Sequence, residues 1–181
     1  MIEAYDRAAY HVVIDQRDLD EVNGLISPLI GKPCWNADFS YGDELYLEFG
    51  AKLAYSSPPM VGELYGEWRL GTCASPWRLL RADGSEITSS EVEADAARGQ
   101  FGEIINRSVV AAAASLPELD LLIEFDGGQR LEVSCLADDG VEDDQEREMF
   151  ELACWDLSMP GGRILEVWAG RRWSLQPYVD T

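Results

Sequence analysis

The feature that most limits what this chain can fold into is an internal echo. Leu45-Tyr46-Leu47-Glu48-Phe49-Gly50 returns 76 positions later as Leu121-Leu122-Ile123-Glu124-Phe125-Asp126. At an offset of 75, Ile30-Gly31-Lys32 falls on Ile105-Asn106-Arg107 and Cys34-Trp35 on Val109-Val110. At an offset of 78, Trp77-Arg78-Leu79 falls on Trp155-Asp156-Leu157, and the turn residues Asp83-Gly84 fall on Gly161-Gly162. The period is too long and the copies too few for a solenoid, which stacks at least three short units. The expectation is one ancestral unit of roughly 75 residues used twice, divided as 1–88 and 89–181. Chance similarity between two strand-rich stretches is the alternative.

Each unit is expected to open on a helix. Asp18 to Ile30 places Leu19, Val22, Leu25, Ile26 and Leu29 on one face of a 3.6 period. The counterpart opens at Ser90, with Glu93 in capping-box position, and buries Phe101, Ile104 and Ile105. Strands follow. Leu45, Leu47 and Phe49 alternate with Tyr46 and Glu48, and Leu119, Leu121, Ile123 and Phe125 alternate with Asp120 and Glu124. Asp126-Gly127-Gly128 signals a hairpin with a type I′ turn, returning through Leu131, Val133 and Cys135. Trp155, Leu157 and Met159 run into Pro160-Gly161-Gly162, then Leu165 and Val167, with Trp173-Ser174-Leu175 as a last edge strand ending at Pro177. The expected fold class is therefore α+β: internally duplicated units of helix plus mainly antiparallel sheet in a pseudo-twofold relation, packed as one compact domain or edge to edge.

Charge narrows the function. The 181 residues hold 34 Asp and Glu against 14 Lys and Arg, a formal charge of −20. A phosphate backbone needs a basic face, so no direct nucleic-acid partner is expected. At 46% hydrophobic content with six Trp, the chain is too apolar for a disordered acidic tail. No apolar run reaches the ~18 residues of a membrane span, and the first residues lack a secretory pattern. A cytoplasmic setting is expected, with no membrane partner, and 12 Arg against 2 Lys suggest a bacterial source.

Catalytic grammar is sparse. The single histidine, His11, lies in the apolar stretch Ala9 to Ile14 and reads as a strand or core residue. No GxSxG, P-loop or GxGxxG occurs, and no calcium-loop pattern follows Asp138-Asp139-Gly140, so no cofactor, metal or catalytic residue is expected. Cys34, Cys73, Cys135 and Cys154 form no CxxC pair and are expected to be reduced, mostly buried and non-catalytic.

The units differ in their loops, where specificity is usually placed. The first carries an insertion from Ala51 to Gly66 with Tyr55, Met60 and Tyr65. The second carries Ala137 to Glu151, in which Asp138, Asp139, Glu142, Asp143, Asp144, Glu146, Glu148 and Glu151 face Arg147 alone. A solvated loop kept soluble by charge is the plain reading. A docking surface that steers a basic protein partner is the functional one, with Tyr55, Met60 and Tyr65, or Trp168 and Trp173, as apolar anchors.

The pattern W-x-L-x-x-P-x-G-x-x-L over Trp155 to Leu165, followed by Gly170 and Trp173-Ser174, resembles a group of small bacterial proteins. Comparable groups resemble the immunity proteins of interbacterial toxins. The resemblance implies an acidic, non-enzymatic protein that binds and neutralises a toxin, and it carries no catalytic residue. Two rivals stand beside it. A nucleic-acid mimic would inhibit a nuclease or DNA-binding protein with carboxylates spaced like phosphates. A small-ligand-binding or hydrolytic domain would hold a carboxylate of raised pKa in a pocket.

Overall fold

The computed structural model describes residues 10–39, 44–56, 58, 60–73, 75–91, 98–135 and 152–178. The chain is α+β, with one α-helix and two antiparallel sheets. The strands are β1 (His11–Val12), β2 (Cys34–Phe39), β3 (Leu45–Ala54), β4 (Leu64–Thr72), β5 (Trp77–Leu80), β6 (Glu86–Thr88), β7 (Val109–Ser115), β8 (Asp120–Phe125), β9 (Arg130–Val133), β10 (Trp155–Met159), β11 (Arg163–Trp168) and β12 (Arg172–Pro177). One sheet has the order β1-β12-β11-β10-β4-β3-β2, the other β6-β5-β9-β8-β7.

The helix α1 (Gln16–Ile26) begins two residues before the expected Asp18. Asp15 caps it: its carboxylate accepts from the amides of Arg17 and Asp18, while the Asp18 carboxylate accepts from the Asp15 amide, two orphan donors satisfied reciprocally. Its end comes early because Pro28 has no N–H to continue the ladder, and Ser27–Leu29 tightens into a 3-10 turn. Leu19, Val22 and Ile26 are buried as the periodicity requires. Asn23 faces the edge strand β7, accepting from the Ala114 amide at 2.7 Å and donating to its carbonyl at 3.1 Å, which blunts that edge against stray pairing.

The expected second helix is a correction. Over the described residues, Ser89–Glu91 and Arg98–Glu103 are 3-10 segments, and Glu93 lies outside the described residues. Gly99 and Gly102 make the α conformation entropically costly there. Phe101 and Ile104 are nevertheless buried, so the apolar stripe does its packing without a full helix. Leu119 is likewise no strand residue but a turn residue with φ +66° immediately before β8. At Asp126-Gly127-Gly128 only Gly128 has positive φ, at +86°, and the Phe125 amide bonds the Gln129 carbonyl. That is a three-residue hairpin loop in place of a type I′ turn. β12 is not the last strand of its sheet, since β1 pairs with its first residues.

The period-two face is seen in both sheets. Leu45, Leu47, Phe49, Leu70, Trp155, Leu157, Leu165 and Val167 point inward from one, and Leu79, Leu121, Ile123, Phe125, Leu131 and Val133 from the other, into one shared core. Phe39, Trp77 and Phe101 meet in tilted and edge-to-face contacts with centroids 5.4 to 5.7 Å apart.

Hydrogen bonds recur at echoed positions. The Cys34 amide bonds the Arg107 carbonyl at 2.8 Å and the Val109 amide bonds Lys32 at 3.0 Å; Gly31 bonds Val109 at 2.8 Å and Asn106 bonds Cys34 at 2.6 Å. Gly31 and Asn106 both adopt left-handed φ, +86° and +64°. The β2–β3 pairing slips between Cys34 and Asn36, and the β7–β8 pairing between Val109 and Ala111. The following hairpins then cross over. β5-β6 leaves the first half to pair with β9, Trp77 opposite Val133, while β10-β11 leaves the second half to pair with β4, Trp155 opposite Thr72.

The cysteines overturn one expectation. Cys135 and Cys154 form a disulfide whose Cα atoms lie 5.3 Å apart, leaving Cys34 and Cys73 free. Separated by 19 in sequence, they meet because Cys135 follows β9 in one sheet and Cys154 precedes β10 in the other. No helix among the described residues is long and apolar enough to cross a membrane.

Candidate functional site

Alternation that buries one face of the seven-stranded sheet sends polar side chains to the other. Strand register lays Asp38, Tyr46, Gly71, Asp156, Glu166 and Ser174 across it in one row. The adjacent row is Asn36, Glu48, Arg69, Ser158, Ile164 and Gln176. Glu48 is the buried acid of this face, and its carboxylate accepts from the Tyr46 hydroxyl at 2.8 Å, the Asn36 amide at 3.0 Å and the Gly66 N–H at 3.1 Å. Three donors make that burial tolerable. The bond to Glu48, together with burial, pushes the Tyr46 phenol up from its ordinary range, burial being the larger cause.

Arg69 occupies the centre. It donates to the Tyr55 hydroxyl at 2.7 Å, is hydrogen-bonded to Tyr178, and lies 5.0 Å from the Tyr178 ring and 5.5 Å from the Tyr65 ring. No carboxylate is within ion-pair distance of it among the described residues. Its cage is aromatic.

Beside Arg69 opens a cleft of about 370 Å³, lined by Glu44, Tyr46, Cys73, Asp156, Ser158 and Tyr178 among others. Asp156 is partly buried there, and burial first, then the cross-strand Glu166, push its carboxyl up to about 6 against the attraction of Arg69. Burial also raises Glu166, and burial with the neighbouring Glu44 carboxylate pushes the Cys73 thiol up to about 11. Buried Cys34 is pushed up to about 12. Neither free thiol is a ready nucleophile at neutral pH.

A raised carboxyl costs stability where it ionises. The unfolded Asp156 loses its proton near 3.8 and the folded one near 6, so the contribution of this group to stability is greatest below 3.8 and is lost as pH rises through 6. Asp156→Asn is therefore expected to stabilise the protein at pH 7.5 by about 1–2 kcal/mol, after allowing for solvent on its open side. At pH 3.5 it should change nothing. Urea midpoints at both pH values check this, and an Asn variant that destabilises at pH 7.5 would show the carboxylate to be paired and stabilising.

The second feature is an arm. β2 accompanies β3 only as far as Phe49, with the Gly50 amide bonded to the Pro33 carbonyl, and β10 accompanies β4 only between Arg69 and Thr72, so the hairpin formed by 51–54 and 64–66 runs on with neither strand beside it. The expected insertion from Ala51 to Gly66 is thus mainly strand, not loop. Tyr55 and Tyr65 are half-buried against each other, centroids 4.5 Å apart, while Met60 is exposed at the tip. Val61 at 62% and Leu64 at 50% exposure, with Leu53, extend the apolar surface. A groove of about 190 Å³ separates Leu53 and Tyr65 from the Pro160–Gly162 turn.

Of the expected binding residues, Tyr55, Met60 and Tyr65 come together on this arm. Trp168 and Trp173 do not serve as exposed anchors, because both are buried. Asp138, Asp139, Glu142, Asp143, Asp144, Glu146, Glu148 and Glu151 lie outside the described residues. His11 sits in β1 with its ring stacked on Trp173, centroids 4.6 Å apart. Sequence reasoning missed Arg69, Glu48 and Asp156. The available signal was a polar residue at every second place of otherwise apolar strands, as in Trp155-Asp156-Leu157-Ser158-Met159.

No protein-family model, no curated protein and no solved structure matches this chain. Among the described residues no cluster of three metal-ligating side chains is placed to hold a metal ion.

Proposed function

We propose that this chain is a non-enzymatic binding protein for a basic protein partner, in the manner of an immunity protein that neutralises a toxin. The observation that carries the reading is the projecting β3–β4 arm, whose Leu53, Met60, Val61 and Leu64 expose apolar side chains on a protein of charge −20. Clustered apolar exposure beside strong charge suits a partner that is itself charged, with apolar anchors slowing dissociation and charge speeding encounter.

The scaffold is read as one ancestral unit used twice about a pseudo-twofold axis, with the C-terminal hairpins exchanged between the halves. Reciprocal bonds at Lys32 and Val109 and at Cys34 and Arg107 support this. On that reading the first copy has lengthened its hairpin into the arm, and the second has gained the acidic stretch 137–151 between Cys135 and Cys154. The two departures from the shared unit are the two parts given to binding.

The test is co-expression with the product of the adjacent gene, followed by binding kinetics. Leu53→Asp with Val61→Asp and Leu64→Asp should raise the dissociation rate at least a hundredfold and abolish protection while leaving the urea midpoint unchanged. Asp143→Asn with Asp144→Asn and Glu146→Gln should instead slow association, and the wild-type on-rate should fall as salt shortens the ~10 Å Debye length of 0.1 M. Kinetics indifferent to both variants and to salt would exclude the reading.

A second reading, a small-ligand site, is favoured by one observation: the raised carboxyl of Asp156 in its cleft.

A further inference from the structure

We infer that the cleft beside Arg69 binds a small organic cation, an alkylguanidinium or alkylammonium group, seated on the Asp156 carboxylate. The inference rests on the second reading above. Its first support is an unmet need. Asp156 is partly buried and accepts no hydrogen bond from any described residue, whereas Glu48 on the same face accepts three. On the open side of the carboxylate only water or a ligand in the cleft can supply donors.

The second support is steric. Asp156 lies opposite Gly71 in register, and a Cβ built on Gly71 would stand 2.8 Å from its Oδ2. β4 is bare at the one place where a side chain would displace the carboxylate from the cleft.

Charge then selects the ligand. Facing Asp156 are Glu44 and Tyr46 from the β3 side, Arg69 and Cys73 from the β4 side, Glu166 from β11, and Tyr178 beyond β12. Arg69 is the single cation in that set, and its guanidinium is already engaged by the Tyr55 and Tyr178 phenols. Asp156 and the cross-strand Glu166 set two carboxylates against the one guanidinium of Arg69. The Tyr46 and Tyr178 rings add polarisable walls of the kind that favour organic cations. A volume of about 370 Å³ admits an arginine or lysine side chain with room to spare.

The same group can arrive as a free amine or on the side chain of a bound protein. Titration of the ¹⁵N-labelled full chain with agmatine, and with a blocked pentapeptide holding one arginine among glycines, separates these sources. Butyrate and acetamide serve as anionic and neutral probes. Agmatine at pH 7.5 is expected to shift the Gly71, Thr72, Asp156 and Ser158 amides saturably. Asp156→Asn should weaken that binding at least tenfold, and pH 5 should weaken wild-type binding about tenfold as the carboxyl protonates. Binding of both probes would mean that a protein side chain is accepted, and binding of agmatine alone would mean a free amine; either supports the inference. Saturable shifts at these amides by butyrate or acetamide but not by agmatine would overturn the cation while keeping the site. Absence of saturable shifts with every probe would overturn both inference and site. If Asp156→Asn does not fold, the pH comparison on the wild type decides: agmatine affinity equal at pH 5 and 7.5 overturns the role of Asp156.

Discussion

Trp155→Ala is expected to cost about 4 kcal/mol of folding stability, the largest loss from any single truncation in this core. Trp155 has no exposed surface, belongs to β10 in the seven-stranded sheet, and reaches across the core so that its indole N–H donates to the Leu119 carbonyl at 3.0 Å. That carbonyl sits in the turn leading into β8 of the opposite sheet. One side chain thus both fills the space between sheets and satisfies a buried backbone acceptor in the other layer. Trp155→Phe separates the two contributions: most of the volume returns, the acceptor is orphaned, and the cost should drop to about 2 kcal/mol. Urea unfolding of both variants measures this. A loss below about 1 kcal/mol in the alanine variant would show that the core collapses around the missing indole.

Reduction of Cys135–Cys154 is expected to cost about 3 kcal/mol, the loop-closure entropy for cross-linking residues some twenty positions apart. The sequence separation is 19, and the bridge joins the end of β9 in one sheet to the approach to β10 in the other. Wild type with reductant and the Cys135→Ala, Cys154→Ala double variant without it should unfold at similar urea concentrations, both below the oxidised protein. Thiol titration gives a second readout. In denaturant without reductant only Cys34 and Cys73 should react, and in native buffer Cys34 should be silent because it is buried and its thiol is pushed up to about 12. Four reactive thiols in the unreduced denatured chain would show that the bridge does not form.

Much of the strand layout was readable because local alternation dictates it. Leu45-Leu47-Phe49 and Leu121-Ile123-Phe125 must place three apolar side chains on one face, whatever they pair with. What the pattern does not encode is the partner. The exchange of β5-β6 and β10-β11 between sheets, and with it the meeting of Cys135 and Cys154, depends on contacts between residues some fifty to ninety positions apart. The arm was read as a loop because Ser56 to Gly62 holds strong turn formers, while the strand-forming run on either side is short and exposed. Asp156 has no local signal beyond its polar place between Trp155 and Leu157 in an alternating strand. Its character comes from Gly71 and Glu166, which reach it only through the sheet.

The crossing hairpins also set a timetable for synthesis. The stretch of β4 from Arg69 to Thr72 receives its outer neighbour only when Trp155 to Ser158 have been made. Before then a nascent chain carrying the first half has β5-β6 without its partner β9 and β4 with an open edge, the condition in which strands pair with the wrong chain. Such non-local pairing also makes folding slow. The first 90 residues already hold 14 acids against 7 bases. Like charge on neighbouring nascent chains opposes their association during that wait.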